Sequence, residues 1–159
     1  RLVYRWRNEH QENPKPSDLK KILQNQIFGV DINDEAVRVA AFSLYLAMCD
    51  ELDPRQYWTR DKLFPLLRER NLIGKDFFLE DIAPFRTNED EGTFDLIIGN
   101  APWGKGSASP SSEARKWAKE NEWTVPGRDL GPVFLAKAAK LGKENSWISM
   151  IPKKASLYI

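Results

Sequence analysis

Short apolar segments alternating with helix-patterned ones constrain this 159-residue chain more than any other feature. Ile27–Val30, Leu72–Ile73, Phe94–Ile98 and Trp147–Ile151 are apolar and β-branched runs too short for helices, and Asp31, Gly74, Gly99 and Pro152 stop them. They read as strands, with Phe94–Ile98 buried. Between the first two, Val37, Ala40, Ala41, Leu44, Ala47 and Met48 repeat at helical spacing from Asn33 or Asp34 to about Cys49. Before the last strand, Pro132 opens a helix carrying Val133, Phe134, Leu135, Ala136, Ala138, Ala139 and Leu141, and Gly142 ends it. The order strand, helix, strand, strand, helix, strand predicts an α/β fold: a mainly parallel sheet flanked by helices. Residues 1–26 read as a helical lead-in, with Leu2, Val3 and Trp6 on one helix and Ser17 capping a second that carries Leu19, Ile22 and Leu23. Residues 27–159 read as the sheet core.

The strand ends carry the chemistry, because open α/β sheets bind ligands at the carboxyl ends of their strands. Gly99 lets the backbone turn, and Asn100, Ala101, Pro102 and Trp103 follow. Asn100 offers an amide oxygen, Pro102 stiffens the loop so that the carbonyl of Ala101 or Pro102 can be aimed, and Trp103 offers a flat apolar face. Together they form a clamp for a planar group with an exocyclic NH2: two acceptors take its hydrogens while the indole stacks on it. Asp31 ends the first strand, where a carboxylate can accept from both hydroxyls of a ribose; with Asp34 it reads equally as a cap for the following helix. Asp76 and Phe77 follow the second strand, an arrangement suited to an adenine, although the phenylalanine reads equally as core.

Composition narrows the classes. No apolar run approaches membrane-spanning length and no signal peptide is visible, so a cytoplasmic location without membrane contact is expected. One cysteine, Cys49, excludes an intrachain disulfide and suits a reducing compartment; with a single histidine, His10, no metal site of ordinary ligands is expected. Residues 1–100 hold 14 Lys and Arg against 18 Asp and Glu, a net −4, whereas residues 101–159 hold 10 against 5, a net +5. The basic part follows the clamp, compatible with a phosphate-bearing substrate and equally with a solvated surface. Lys105–Ser112, rich in Gly, Ser and Pro, reads as a mobile segment or a linker.

In this order, a strand-end aspartate, an Asp-Phe pair and Asn-Ala-Pro-Trp resemble the adenine-specific N6 DNA methyltransferases of bacterial restriction-modification systems, which use S-adenosylmethionine; the likeness covers about Gln26 to Tyr158. The family loop reads Asn, Asp or Ser, then Pro-Pro and an aromatic residue, so Asn100, Pro102 and Trp103 match and Ala101 departs while keeping its carbonyl. The resemblance implies a Rossmann-like methyltransferase sheet, a ribose contact at Asp31 with Ile32 beside it, an adenine contact at Asp76 and Phe77, and a target adenine held by Asn100, Ala101, Pro102 and Trp103. It also implies double-stranded DNA as partner and a recognition domain elsewhere in the polypeptide. The family's glycine-rich first motif is not found, since no glycine precedes Gly29. With Arg1 opening the chain inside a helix, residues 1–159 are expected to be a piece of a longer protein, incomplete at the N-terminus and inactive alone. The same loop serves RNA bases or a protein glutamine in related enzymes, and Ala101 leaves open a non-catalytic nucleic-acid-binding scaffold.

Overall fold

The computed structural model describes residues 1–58, 62–101, 112–124 and 130–151, and the chain divides into the units Arg1–Lys75 and Asp76–Ile159. In the first unit, helix α1 (Leu2–His10) has no fully buried residue; Val3 packs partly on the core, and the Trp6 and His10 rings stack 4.2 Å apart. Helix α2 (Pro16–Gln26) buries Leu19, Ile22 and Leu23. Its cap is Lys15 and not Ser17, so the helix starts two residues earlier than a Ser17 cap would give. Lys15 donates its N–H to Asp18 Oδ2 (3.0 Å) and accepts from the Asp18 N–H (2.9 Å), while Pro16 needs no donor in the first turn.

Strand β1 (Gly29–Asp31) pairs in parallel with β2 (Leu72–Gly74), and helix α3 (Asp34–Asp50) connects them on its way to a 3-10 turn, Pro54–Trp58. A parallel pair needs such a crossover, which explains the long intervening segment. Asn33 caps α3: its Oδ1 accepts from the Glu35 N–H (3.0 Å). The core of this unit is Leu19, Leu23, Val37, Ala41, Met48, Leu52, Leu67 and Leu72. Buried Asn71 joins its parts, donating from Nδ2 to the carbonyls of Gln24 (2.7 Å) and Ile27 (3.0 Å) at the end of α2, with Leu23 O at 3.4 Å. It occupies the carbonyls a helix end leaves without partners.

In the second unit, β3 (Phe94–Gly99) pairs in parallel with β4 (Gly142–Met150), matching Leu96 to Trp147, Ile97 to Ile148 and Ile98 to Ser149. Helix α4 (Ser112–Glu120) precedes α5 (Gly131–Leu141), which runs directly into β4, so that this strand begins five residues before Trp147. Phe78, Ala114, Trp117, Ala118, Val133 and Ala136 form the core, with Phe77, Leu130 and Phe134 packed around it.

Both strand pairs are parallel, as alternation requires, but the four described strands pair two by two and do not form one continuous Rossmann-like sheet. The expectation that Phe94–Ile98 is buried also needs correction. Leu96 and Ile98 are exposed, as is their neighbour Trp147, while Ile97 and Ile148 on the opposite face are half-buried. Side chains alternate across a strand, so cover on one face of a two-stranded sheet leaves every second residue open. Among the described residues no helix is long and apolar enough to cross a membrane.

Candidate functional site

The carboxyl end of β1 is ordered by side chains that return to the backbone. Asp31 Oδ1 accepts from the Asn33 N–H (2.7 Å), and Asn33 in turn caps α3, so the helix cap is Asn33 and the aspartate shapes the turn before it. Among the described residues no other donor reaches the Asp31 carboxylate, which is exposed, as is Ile32. Asp34 is committed elsewhere. It meets Arg38 Nε (3.0 Å) and Arg68 Nη2 (3.1 Å), and the Arg68 hydrogen bond above all holds its carboxyl below the usual carboxylate range. Gly74 at the end of β2 makes room for it: a Cβ there would lie 2.9 Å from Asp34 Oδ1.

Asp76 opens the second unit in a turn, with the Leu79 N–H donating to Asp76 O (3.2 Å) and the Phe78 N–H to Asp76 Oδ1 (2.9 Å). Among the described residues Asp76 Oδ2 has no donor. The Phe77 ring is half-buried, stacked on Phe134 with centroids 5.6 Å apart and edge-on to Phe78 and Phe85, so it serves the core first. Asn100 directly follows β3; its side chain is exposed and has no hydrogen-bond partner among the described residues. Beside it Ala101 is buried, and the β3–β4 ladder continues past Gly99 through the Ile151 N–H. Pro102 and Trp103 lie outside the described residues, as does most of Lys105–Ser112; Ser112 begins α4. Asp31 and Ile32 thus stand in the first unit, and Asp76, Phe77, Asn100 and Ala101 in the second.

Behind Asp76 and Phe77 runs a polar network that the motif reading passes over. Lys137, on α5 and wholly buried, donates to Phe77 O and to Glu80 Oε1, both at 2.7 Å. Its ammonium also lies 5.0 Å from the Phe77 ring centroid. Glu80 accepts as well from the Thr87 N–H (2.6 Å) and hydroxyl (2.7 Å), and Trp117 Nε1 donates to that hydroxyl. Burial pushes Lys137 below the usual ammonium range; burial acts to raise Glu80, but its hydrogen bonds from Lys137 and Thr87 outweigh this and leave it below the usual range. One signal was present in the sequence: Lys137 stands on the apolar face of α5, four residues after Val133 and four before Leu141. A cation there needs a buried partner.

No match was found among curated proteins or among solved structures. A family model does match, over residues 25–157, that of the Eco57I restriction-modification methylases. This span contains both strand pairs, the exposed carboxylate of Asp31, the Asp76 turn and the free amide of Asn100, and the chain belongs to the Eco57I restriction-modification methylase family.

Proposed function

We propose that the chain is the methyl-transferring part of a DNA adenine-N6 methyltransferase that uses S-adenosylmethionine. The observation that carries this reading is Asn100: an exposed amide with no protein partner among the described residues, immediately after β3, in a chain of a methylase family. Its place at the carboxyl end of a parallel strand is where open α/β sheets present the groups that meet ligands.

The residues present suit the cofactor in chemical kind. Asp31, which meets no cation among the described residues, can accept from ribose hydroxyls, with Ile32 an apolar neighbour; among the same residues Asp76 has an oxygen to spare for the adenine amino group, beside the Phe77 ring. When bound, S-adenosylmethionine supplies an electrophilic methyl group on a sulfonium. The work of the chain is done at the adenine amine. Its lone pair is delocalised into the ring; Asn100 Oδ1 and the carbonyl of Ala101 or Pro102, accepting its two hydrogens, favour a pyramidal nitrogen whose lone pair is available for the methyl. The amine grows more acidic as the new bond forms, so its proton passes to water without a strong base. Trp103 would replace the stacking an adenine loses on leaving the duplex, about 1–3 kcal/mol. Sequence recognition would belong to another domain of the polypeptide.

The test is transfer of labelled methyl groups from S-adenosylmethionine by the full-length protein to unmethylated DNA, RNA or protein, followed by digestion. The expected product is N6-methyladenine in DNA, lost in Asn100→Ala at least a hundredfold with the thermal transition unchanged. Label confined to RNA or to a protein glutamine would reassign the substrate, and retained DNA binding with no label in any product would support the scaffold.

A further inference from the structure

We infer that Lys137 is a positioning residue for the adenine-reading turn, holding one peptide plane in the orientation that aims the Asp76 carboxylate. The inference rests on the assignment of Asp76 and Phe77 to the cofactor adenine. Its physical basis is the turn Asp76–Leu79, in which the carbonyl of Asp76 accepts from Leu79 and closes the turn. The central peptide, between Phe77 and Phe78, takes no part in that closure. Phe78, the third residue of the turn, does not take the positive φ that a full flip of this peptide would demand, so what an anchor on the peptide controls is its tilt within one turn type.

Here both of its ends are held. The Phe78 N–H donates to Asp76 Oδ1 at 2.9 Å, and the Phe77 C=O accepts from Lys137 Nζ at 2.7 Å. Lys137 is therefore coupled to the Asp76 carboxylate through a single rigid unit. Were the plane to tilt, the Phe78 N–H would move off line from Oδ1 and the bond that sets the carboxylate rotamer would weaken. The ammonium cannot drift from its task. It is wholly buried, its other hydrogen bond runs to Glu80, and Glu80 is fixed in turn by Thr87, with Trp117 behind it. The faces of Phe77 and Phe78 lie beside it, with ring centroids at 5.0 and 5.8 Å, and the Asp76 and Asp90 carboxylates are near enough to act on its charge.

Binding of S-adenosylhomocysteine and of its deaminated analogue S-inosylhomocysteine to the full-length protein, measured by calorimetry, tests this directly, because only the first carries the amino group from which Asp76 would accept. The wild-type protein should prefer the adenosyl compound about tenfold or more, and Asp76→Ala should abolish the preference. Lys137→Met should lose most of that preference. Trp117→Phe, which removes a hydrogen bond from the same network away from the turn, should keep it. A purely structural role for Lys137 would weaken both ligands alike and leave the ratio intact, and that result would overturn the inference. Should Lys137→Met not fold, Lys137→Gln reads the same ratio: its amide lies one bond short of the ammonium position, so the 2.7 Å bond to the Phe77 carbonyl is lost while a polar group stays in the site. A wild-type protein that binds both ligands equally, or neither, would instead sink the adenine assignment itself.

Discussion

A single side-chain amide, that of Asn71, serves the carbonyls at the end of α2, while the backbone carbonyl of Asn71 accepts from the Gly29 N–H (2.8 Å) at the start of β1. Truncation to alanine would leave buried acceptors without donors. We expect Asn71→Ala to cost about 1–3 kcal/mol, read as a lower denaturation midpoint with an unchanged urea dependence. Lys137→Met should cost about 1–3 kcal/mol, because the Phe77 carbonyl and Glu80 each lose a donor, while Glu80, partly open to solvent, keeps its bonds from Thr87. Neither residue announces itself in the sequence as strongly as Asp31, Asp76 or Asn100 does. Those three follow strands, and a strand end can be read locally. Asn71 meets carbonyls more than forty residues away and Lys137 meets Glu80 fifty-seven residues away, so their roles exist only once the chain has closed. The Phe77 ring shows the converse. Its core alternative was visible in the sequence, and stacking on Phe134 places it there without removing it from the Asp76 turn.

Among the elements, strands and helices were legible because periodicity is a local signal, and the acidic stretch from Glu80 to Glu91 was not. It has no periodicity to read, and in the structure it is clamped at several points. Arg86 grips Asp90 through Nε (2.9 Å) and Nη2 (3.0 Å), and its backbone N–H reaches the same carboxylate, while Arg86 also pairs with Glu89. The Arg86 hydrogen bond holds Asp90 below the usual carboxylate range, and Glu80 is held low by Lys137 and Thr87 against the opposing pull of burial. Both shifts have the sign of stability gained on ionisation. The contribution is fully present above the ordinary values of 3.8 for Asp90 and 4.5 for Glu80, and it is lost as pH falls through the lower folded values. Thermal melts from pH 7 to pH 3 should therefore show the transition temperature falling steeply in the acid range. Glu80→Gln should be less stable at pH 7 and lose less on acidification; a parallel fall in both proteins would mean that Glu80 is not among the groups responsible.

At the scale of the whole molecule, alternation foretold parallel pairing, but not that the described strands would pair two by two, since which strands become neighbours depends on non-local contacts. Charge is a whole-chain property that the sequence does show, and it bears on the proposed DNA partner. The net +5 after residue 100 includes Arg115, Lys116 and Lys119, all exposed on α4, whose buried residues Ala114, Trp117 and Ala118 lie on the opposite face. If the surplus neutralises about five phosphates, counterion release gives a slope of about −4.5 in log affinity against log salt, a loss of about 500-fold between 50 and 200 mM. Duplex binding measured by fluorescence anisotropy across that range checks it. Replacing Arg115, Lys116 and Lys119 together by glutamine touches no buried side chain, so folding should persist, and the slope should shrink by about 2–3 if these cations meet phosphates. An unchanged slope would return α4 to plain solvated surface and move the phosphate contacts elsewhere in the basic half. An affinity flat in salt would remove DNA electrostatics from the account altogether, leaving Asn100 and its methyl-transfer assay as the evidence that decides the substrate.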